Sequence, residues 1–497
     1  MNYIHNIPFF CIFLSMIAGI ITPLMKGGKM ARKINIVVTM IIGIMSCILL
    51  MSFIDGGESF NFMMGHYPAP WGNELRAGPF EALMAVVFSL VMMLSIIGNK
   101  DSLEEDIPPK KQKYYYVMIN LLLSSLLALI YTNDIFTAYV FIEINTIAAC
   151  AIVMAKEGSE TIRATLRYLI MSTLGSGLIL ISIALIYDLT GHLLMQNIGV
   201  SVAKLMESGE YIVPLTVALG LLTIGLCVKS ALFPFGSWLP DAHGSATSAS
   251  SAILSGLVVK GYIILLIKIF YRVFGVETIK VLNISNVLFF LGVLGMIMGS
   301  VYAIKQSNIK RMIAYSSIAQ IGYIFMGIGL GTEVGMIAAV FHMIAHALTK
   351  PMLFTAAGGL INCSNHSKEL KDLKGSAYKN RIAGIAMIVG ALSMIGIPLL
   401  SGFVSKFYFA QAAFDNPEKV MVTLLVLGLS AVLNAMYYIP MIIVIYTPDD
   451  RCDTKNHVSI SKGFKVSLTC FIVCNFIVGI GYAPIMDIIE KGLNMFS

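Results

Sequence analysis

Charge is what this chain has least of: Asp, Glu, Lys and Arg make up 12% of its 497 residues, about half of what a soluble domain carries. Its 8 cysteines are scattered. Cys470 and Cys474 stand one turn apart, with no histidine or acidic companion, so zinc, haem and iron–sulfur spacings are missing. No glycine-rich phosphate loop or nucleotide fingerprint occurs either. The expectation is a chain with no metal site and no cofactor of its own.

Apolar sequence is abundant instead. Hydrophobic residues reach 57% and the mean hydropathy is +0.83, which indicates an all-α polytopic membrane protein. A span needs about 20 mostly apolar residues. Fourteen are expected, at 4–24, 31–53, 78–98, 114–132, 134–155, 165–187, 211–231, 247–270, 284–304, 311–330, 335–361, 382–412, 420–446 and 465–488. The eleventh and twelfth are too long for plain spans, which predicts a tilt or a break.

The leading "MNYIHN" lacks the positive stretch of a cleavable signal, and the basic cluster follows the first span. Lys26, Lys29, Arg32 and Lys33 therefore place that first loop in the cytoplasm and both termini outside. Continued along the chain, this orientation puts 23 Lys/Arg in inside loops and 7 in outside segments, with Lys229, Lys260, Lys350 and Lys406 left within spans. The net charge of +7 thus reflects topology in a cytoplasmic membrane, and a nucleic-acid partner is not needed to explain it.

A charge at membrane depth costs at least about 2.5 kcal/mol, so it should face protein or water and pair. Glu143 lies mid-span in "AYVFIEINTIAA", Lys229 late in the seventh span, and Lys260 mid-eighth in "SGLVVKGYIILL". His342, His346 and Lys350 step by four in "FHMIAHALTKPM", so they share one helical face. Lys406 lies in "GIPLLSGFVSKFYF". Glu81, Asp134 and Lys268 stand near span ends, where snorkelling to an interface accounts for them equally well. The histidines could be satisfied core residues, but two with a lysine on one stripe favour a hydrated path.

Two spans contain helix breakers: "LFPFGSWLP" with Pro234, Gly236 and Pro240, and "IGIPLLSGF" with Gly396, Pro398 and Gly402. Non-helical backbone survives in a membrane only where protein or water surrounds it. Paired broken helices in corresponding places suggest inverted repeats. The expected division is 1–110 (helices 1–3), 111–273 (helices 4–8), 280–447 (helices 9–13) and 448–497 (a cytoplasmic loop and helix 14). Small residues in "GSATSASSAILSG" suit close helix packing or a cavity wall beside Lys260. The stretch 188–210 reads as an amphipathic interfacial helix or a partner surface.

The segments "KSALFPFGSWLPDAH", "KRMIAYSSIAQIGYI", "HMIAHALTKPMLF" and "GIPLLSGFVSKF" resemble the antiporter-like membrane subunits of respiratory complex I, membrane-bound hydrogenases and Mrp-type Na+/H+ antiporters. The resemblance covers about residues 78–446. It implies that Glu143 is the fifth-helix glutamate, Lys229 its partner and Lys260 the relay lysine. It makes His342, His346 and Lys350 the polar path through the eleventh helix, and Lys406 the terminal lysine of the twelfth. The lysine at 406 and "YPAPWG" at 67–72 resemble the D-type subunits of Mrp antiporters. Where many members carry proline after "WLPDAH", this chain reads "GSATSASSA". The resemblance further implies a multisubunit assembly with other membrane subunits, moving protons and, in an antiporter, Na+. Alternatives are the pumping arm of a redox complex, whose redox centres sit in other subunits, and a non-conducting scaffold. The expected order of proton passage is Glu143–Lys229, Lys260, His342, His346, Lys350, Lys406.

Overall fold

The computed structural model describes residues 3–68, 71–448 and 460–495. Most of "YPAPWG" lies within them, but residues 69–70 and the basic stretch 449–459 lie outside. Among the described residues, thirteen helices are long and apolar enough to cross a membrane. They are α1 (Ile7–Ile21), α2 (Gly28–Ile54), α3 (Pro79–Gly98), α4 (Pro109–Tyr131), α5 (Ile135–Met154), α6 (Ser159–Thr190) and α7 (Ile212–Lys229), then α8 (Ser248–Phe274), α9 (Ile284–Ile304), α10 (Ile309–Gly329), α11 (Glu333–Asn362), α13 (Val420–Tyr446) and α14 (Lys462–Ile480). The remaining span, α12, consists of two short halves, Arg381–Ile395 and Ser401–Phe414. The fourteen expected spans are all present.

Both termini share one face. His5 stacks on Phe60 at 4.2 Å, in a hairpin of β1 (Phe60–Met63) and β2 (Glu74–Ala77). Arg76 Nη2 donates to Met495 O at 2.6 Å, and Lys491 Nζ to Phe53 O at 2.8 Å. The opposite face joins the odd-numbered loops: Lys368 Nζ donates to Gly244 O at 2.8 Å, and Lys111 pairs with Glu157 at 2.7 Å.

The helices α8 and α11 are buried along their whole apolar length, while α2, α6, α13 and α14 present most of theirs outward. The centre of the molecule is therefore where an ionisable side chain meets only protein. Glycines bring backbones together there. A Cβ on Gly292 of α9 would lie 2.4 Å from Met326 N of α10, and one on Gly225 of α7 would lie 2.7 Å from Gly175 O of α6.

Both predicted breaks are present. After Lys229 the chain leaves the helix, with Ala231 at φ 56°, and resumes at Trp238–Ser245. Trp238 closes the gap by stacking on Tyr168 at 4.2 Å, and its Nε1 donates to Val228 O at 3.4 Å. In α12 the first half ends at Gly396, φ 101°. Gly402 is obligatory because a Cβ there would sit 1.9 Å from Ser393 O. By contrast α11 is unbroken across Pro351, so its length reflects a long continuous helix.

Three end-of-span readings are corrected. Lys268 and Arg272 are not outside-loop charges: α8 runs on to Phe274 and buries both. Lys268 and Glu81 do not snorkel, being 0% and 1% exposed. Lys310, assigned to an inside loop, is buried with Nζ donating to Ala246 O at 2.5 Å. A cation that finds several backbone carbonyls or a carboxylate inside protein need not reach water. Asp134 does sit at the interface, where its side chain caps α5 by accepting from Thr137 N at 2.6 Å. The 188–210 stretch contains the helix Met195–Ser208, which buries Ile198 and Val202.

Candidate functional site

Lys229 is the last residue of α7. Its side chain is fully buried, and Nζ lies 3.5 Å from Glu143 Oε1 of α5. The same ammonium donates to Thr146 Oγ1 at 2.6 Å and sits 5.8 Å from the Tyr262 ring centroid. Ser176 of α6 donates to Glu143. The predicted pair is therefore formed, at a long separation that a short side-chain movement would open or close.

Glu143 departs from the expectation that midplane charges face inward. Its side chain is 34% exposed at the lateral edge of the chain, because α5 is only half covered. An ionised carboxylate against hydrocarbon is costly, so this edge calls for a cover.

Lys260 lies in the centre of α8, where the helix widens to a π turn over Leu254–Val258. Its ammonium donates back to Ser255 O, one residue beyond the usual helical step. Ser255 Oγ in turn meets Ser317 Oγ of α10 at 3.0 Å. A π turn offsets carbonyls from their normal donors and recurs at functional positions. No sequence signal marked it except the run of small residues before it.

On α11, His342, His346 and Lys350 are all buried. His342 Nδ1 is 2.7 Å from Ser405 Oγ, beside Lys406. Both ring nitrogens of His346 lack a hydrogen-bond partner, and the cations that act on His346 include Lys260 and Lys350. Lys350 Nζ binds Ile313 O at 3.1 Å, Ser316 and Tyr438 Oη at 3.3 Å. The linear order expected along this helix is corrected here. The i, i+4 stripe runs along the helix axis, across the membrane, and eight residues at about 1.5 Å each separate His342 from Lys350 by roughly 12 Å. His342 is the member adjacent to Lys406; Lys350 is a branch toward the opposite end.

Lys406 is half-buried in the second half of α12. Nζ reaches back across the break to Met394 O and Ile395 O, each at 2.7 Å, and lies 4.9 Å from the Tyr323 ring centroid. It occupies the carbonyl end of the first half-helix, where a cation is favoured. Asn475 of α14 accepts from Ser393 and Ser401 on either side of the same break, at 3.0 and 2.7 Å.

Together these residues form a row of one carboxylate, four amines and two imidazoles across the middle of the molecule. Thr146, Ser176, Tyr262, Ser405, Ser316 and Tyr438 supply hydroxyls along it, and sequence reasoning singled out none of them. His243 was also missed. It is buried, stacked on Phe354 at 4.8 Å, and acted on by Lys260, Lys310 and Lys350. No group of His, Cys, Asp and Glu among the described residues could hold a metal ion.

The family profile described as "NADH:quinone oxidoreductase/Mrp antiporter, TM" matches residues 132–432. The chain is 31% identical over 435 residues to the N-type subunit of NADH-quinone oxidoreductase from Desulforudis audaxviator (strain MP104C), covering 87% of this chain and 84% of that one. It is 25% identical over 478 residues to the D-type subunit of the Na(+)/H(+) antiporter from Bacillus subtilis (strain 168), covering 96% and 94%. Among solved structures, a chain of the Mrp complex from Dietzia sp. DQ12-45-1b superposes with a TM-score of 0.88 at 20% identity, over 100% of this chain and 98% of that one. A chain of the membrane-bound sulfane sulfur reductase, an archaeal respiratory membrane complex, gives 0.87 at 25%, over 99% and 98%.

Proposed function

Because the chain belongs to the NADH:quinone oxidoreductase/Mrp antiporter membrane-subunit family, we propose that it translocates protons within a multisubunit membrane complex, and that this complex is a Na+/H+ antiporter with the present chain as its D-type subunit. The observation that carries the reading is the Glu143–Lys229 pair at the head of a buried row of cations. A buried ammonium is unfavourable alone and is stabilised by a nearby carboxylate. Closing the pair holds the proton on Lys229. Opening it favours transfer toward Lys260, through Tyr262 and water. Protonation of Lys260 then biases His346, and His342 through Ser405 biases Lys406. Each step moves one proton and leaves the next pair changed, so ion movement at one end is felt at the other.

The exposed edge at Glu143 supports a covering partner subunit, since an unpartnered lipid-facing carboxylate would be costly. The Lys/Arg bias places the face with both termini outside a cytoplasmic membrane. We assign residues 111–273 and 280–447 to the two inverted repeats, flanked by 1–110 and 448–497. Near full-length alignment with a D-type antiporter subunit supports the antiporter reading. A second reading, the proton-pumping arm of a respiratory complex, is favoured by the higher identity to the N-type oxidoreductase subunit.

The test is purification of the intact complex in mild detergent with mass-spectrometric identification of its subunits. Small membrane subunits without cofactors, and proton flux that needs Na+, support the antiporter. Iron–sulfur partners overturn it in favour of the respiratory reading. Lys229→Ala in reconstituted complex should lower coupled proton transport by about a hundredfold, the low end of what a proton-transferring group contributes. A wild-type rate would sink proton translocation through this row.

A further inference from the structure

A second cluster of buried charge lies nearer the face that carries both termini. Along α8, Lys260, Lys268 and Arg272 fall on one stripe at multiples of four residues. Arg272 Nη2 pairs with Glu81 Oε1 of α3 at 2.6 Å, their side chains 3% and 1% exposed. Lys268 Nζ donates to Leu129 O, Ile130 O and Thr132 O at 3.5, 2.6 and 2.5 Å. All three of its protons are thus committed to the carbonyl end of α4.

Beside this pair, two polar atoms are buried without any hydrogen-bond partner, Tyr131 Oη and Asn133 Oδ1. Glu81 is among the groups that act on Tyr131. Asn133 Nδ2 donates to Glu74 Oε1 at 2.7 Å. Buried polar atoms of this kind are ordinarily satisfied by ordered water. A cavity of about 450 Å³, lined by Arg76, Gln196, Gly199, Arg272 and Gly275, opens beside the cluster. Arg272 thus borders the cavity on one side and holds Glu81 on the other.

The midplane row is enclosed by protein at Lys260, yet a translocated proton must reach water at one face. α8 carries cations at both depths. We propose that Glu81 is the proton-exchanging carboxylate of an aqueous half-channel joining the Lys260 region to the face with both termini, entered through the Arg76–Arg272 cavity. This rests on the proton-translocation reading above. A proton arriving through water held by Tyr131 and Asn133 binds a Glu81 carboxylate oxygen, and the ion pair with Arg272 opens. Its release to cavity water restores the carboxylate and re-forms the pair, so one proton is taken and one given up. Lys268 stays a fixed cation. The charged and titratable groups around Glu81 are Arg272 and Lys268 from α8, Tyr131 from α4, and Arg76 and Glu74 from β2.

The competing explanation is a structural ion pair that only fastens α3 to α8. The experiment compares Glu81→Gln, Glu81→Asp and the double variant Glu81→Gln with Arg272→Met in the intact complex in proteoliposomes, with Lys229→Ala alongside. The half-channel predicts at least a tenfold loss for Glu81→Gln, recovery of most transport in Glu81→Asp, and a double variant that assembles but stays slow. Wild-type transport by the double variant, with Lys229→Ala inactive, overturns the half-channel and leaves the proton-translocation reading standing. Wild-type transport by Lys229→Ala would instead overturn that reading. On the unaltered complex, an apolar carbodiimide, which reacts with protonated carboxyls, should modify Glu81. Mass spectrometry showing Glu143 modified and Glu81 untouched counts against the half-channel even if no variant assembles.

Discussion

Lys406 shows how closely a single site depends on its neighbours. Its ammonium replaces the hydrogen-bond donors that the break in α12 removes from Met394 and Ile395. Room for it exists because residue 396 is glycine: a Cβ there would lie 2.8 Å from Lys406 Cδ, at a backbone φ of +101°. Gly396→Ala should therefore cost about 1–3 kcal/mol in backbone strain and displace the amine. The expected outcome is an assembled complex with clearly reduced proton transport, read by subunit stoichiometry and flux on one preparation. Unchanged flux would show that the amine does not need this seat. The identities of Glu143, Lys229, Lys260 and Lys406 were legible in the sequence because charge at membrane depth is rare. Their hydroxyl partners were not, because Ser, Thr and Tyr are common in spans and carry no signal until helices are packed.

The two broken helices and the widened one do different work. In α7 the lysine ends the first half, whereas in α12 it lies beyond the gap and reaches back. Breaks could be read from Pro and Gly, but not which side of the break each lysine would serve. The π turn in α8 had no such marker, since its residues, Leu254–Val258, are ordinary helix formers with one glycine. Close packing of α9 on α10 holds the second half together. Gly292→Ala puts a methyl 2.4 Å from Met326 N, against backbone that cannot rotate aside. Overpacking of this kind costs about 1–3 kcal/mol, and thermal unfolding of the detergent-purified complex should show a lower midpoint. An unchanged midpoint would mean that the two helices are free to separate.

For the whole molecule, an even number of spans forces the termini to one face, and the contacts of His5, Arg76 and Lys491 put them there. Which face that is follows from the Lys/Arg bias. In a cysteine-free background, Ser208→Cys on that face should react with an impermeant maleimide on intact cells. Lys371→Cys, on the opposite face, should react only after lysis. The reverse pattern would invert the topology. The exposed edge at Glu143 belongs to this scale too, because it is completed by whatever packs against α5.

Hydropathy and charge scarcity alone determined the class, the fourteen spans, both breaks and the row of ionisable residues. Each follows from the cost of placing polar groups in hydrocarbon, a cost written locally in the chain. Tertiary structure alone decided the order of that row, with His342 beside Lys406 and Lys350 on a branch. It also decided the burial of Lys268, Arg272 and Lys310, and the pairing of Glu81. These depend on which carbonyls and carboxylates distant helices bring within about 3 Å, a relation that no single span contains.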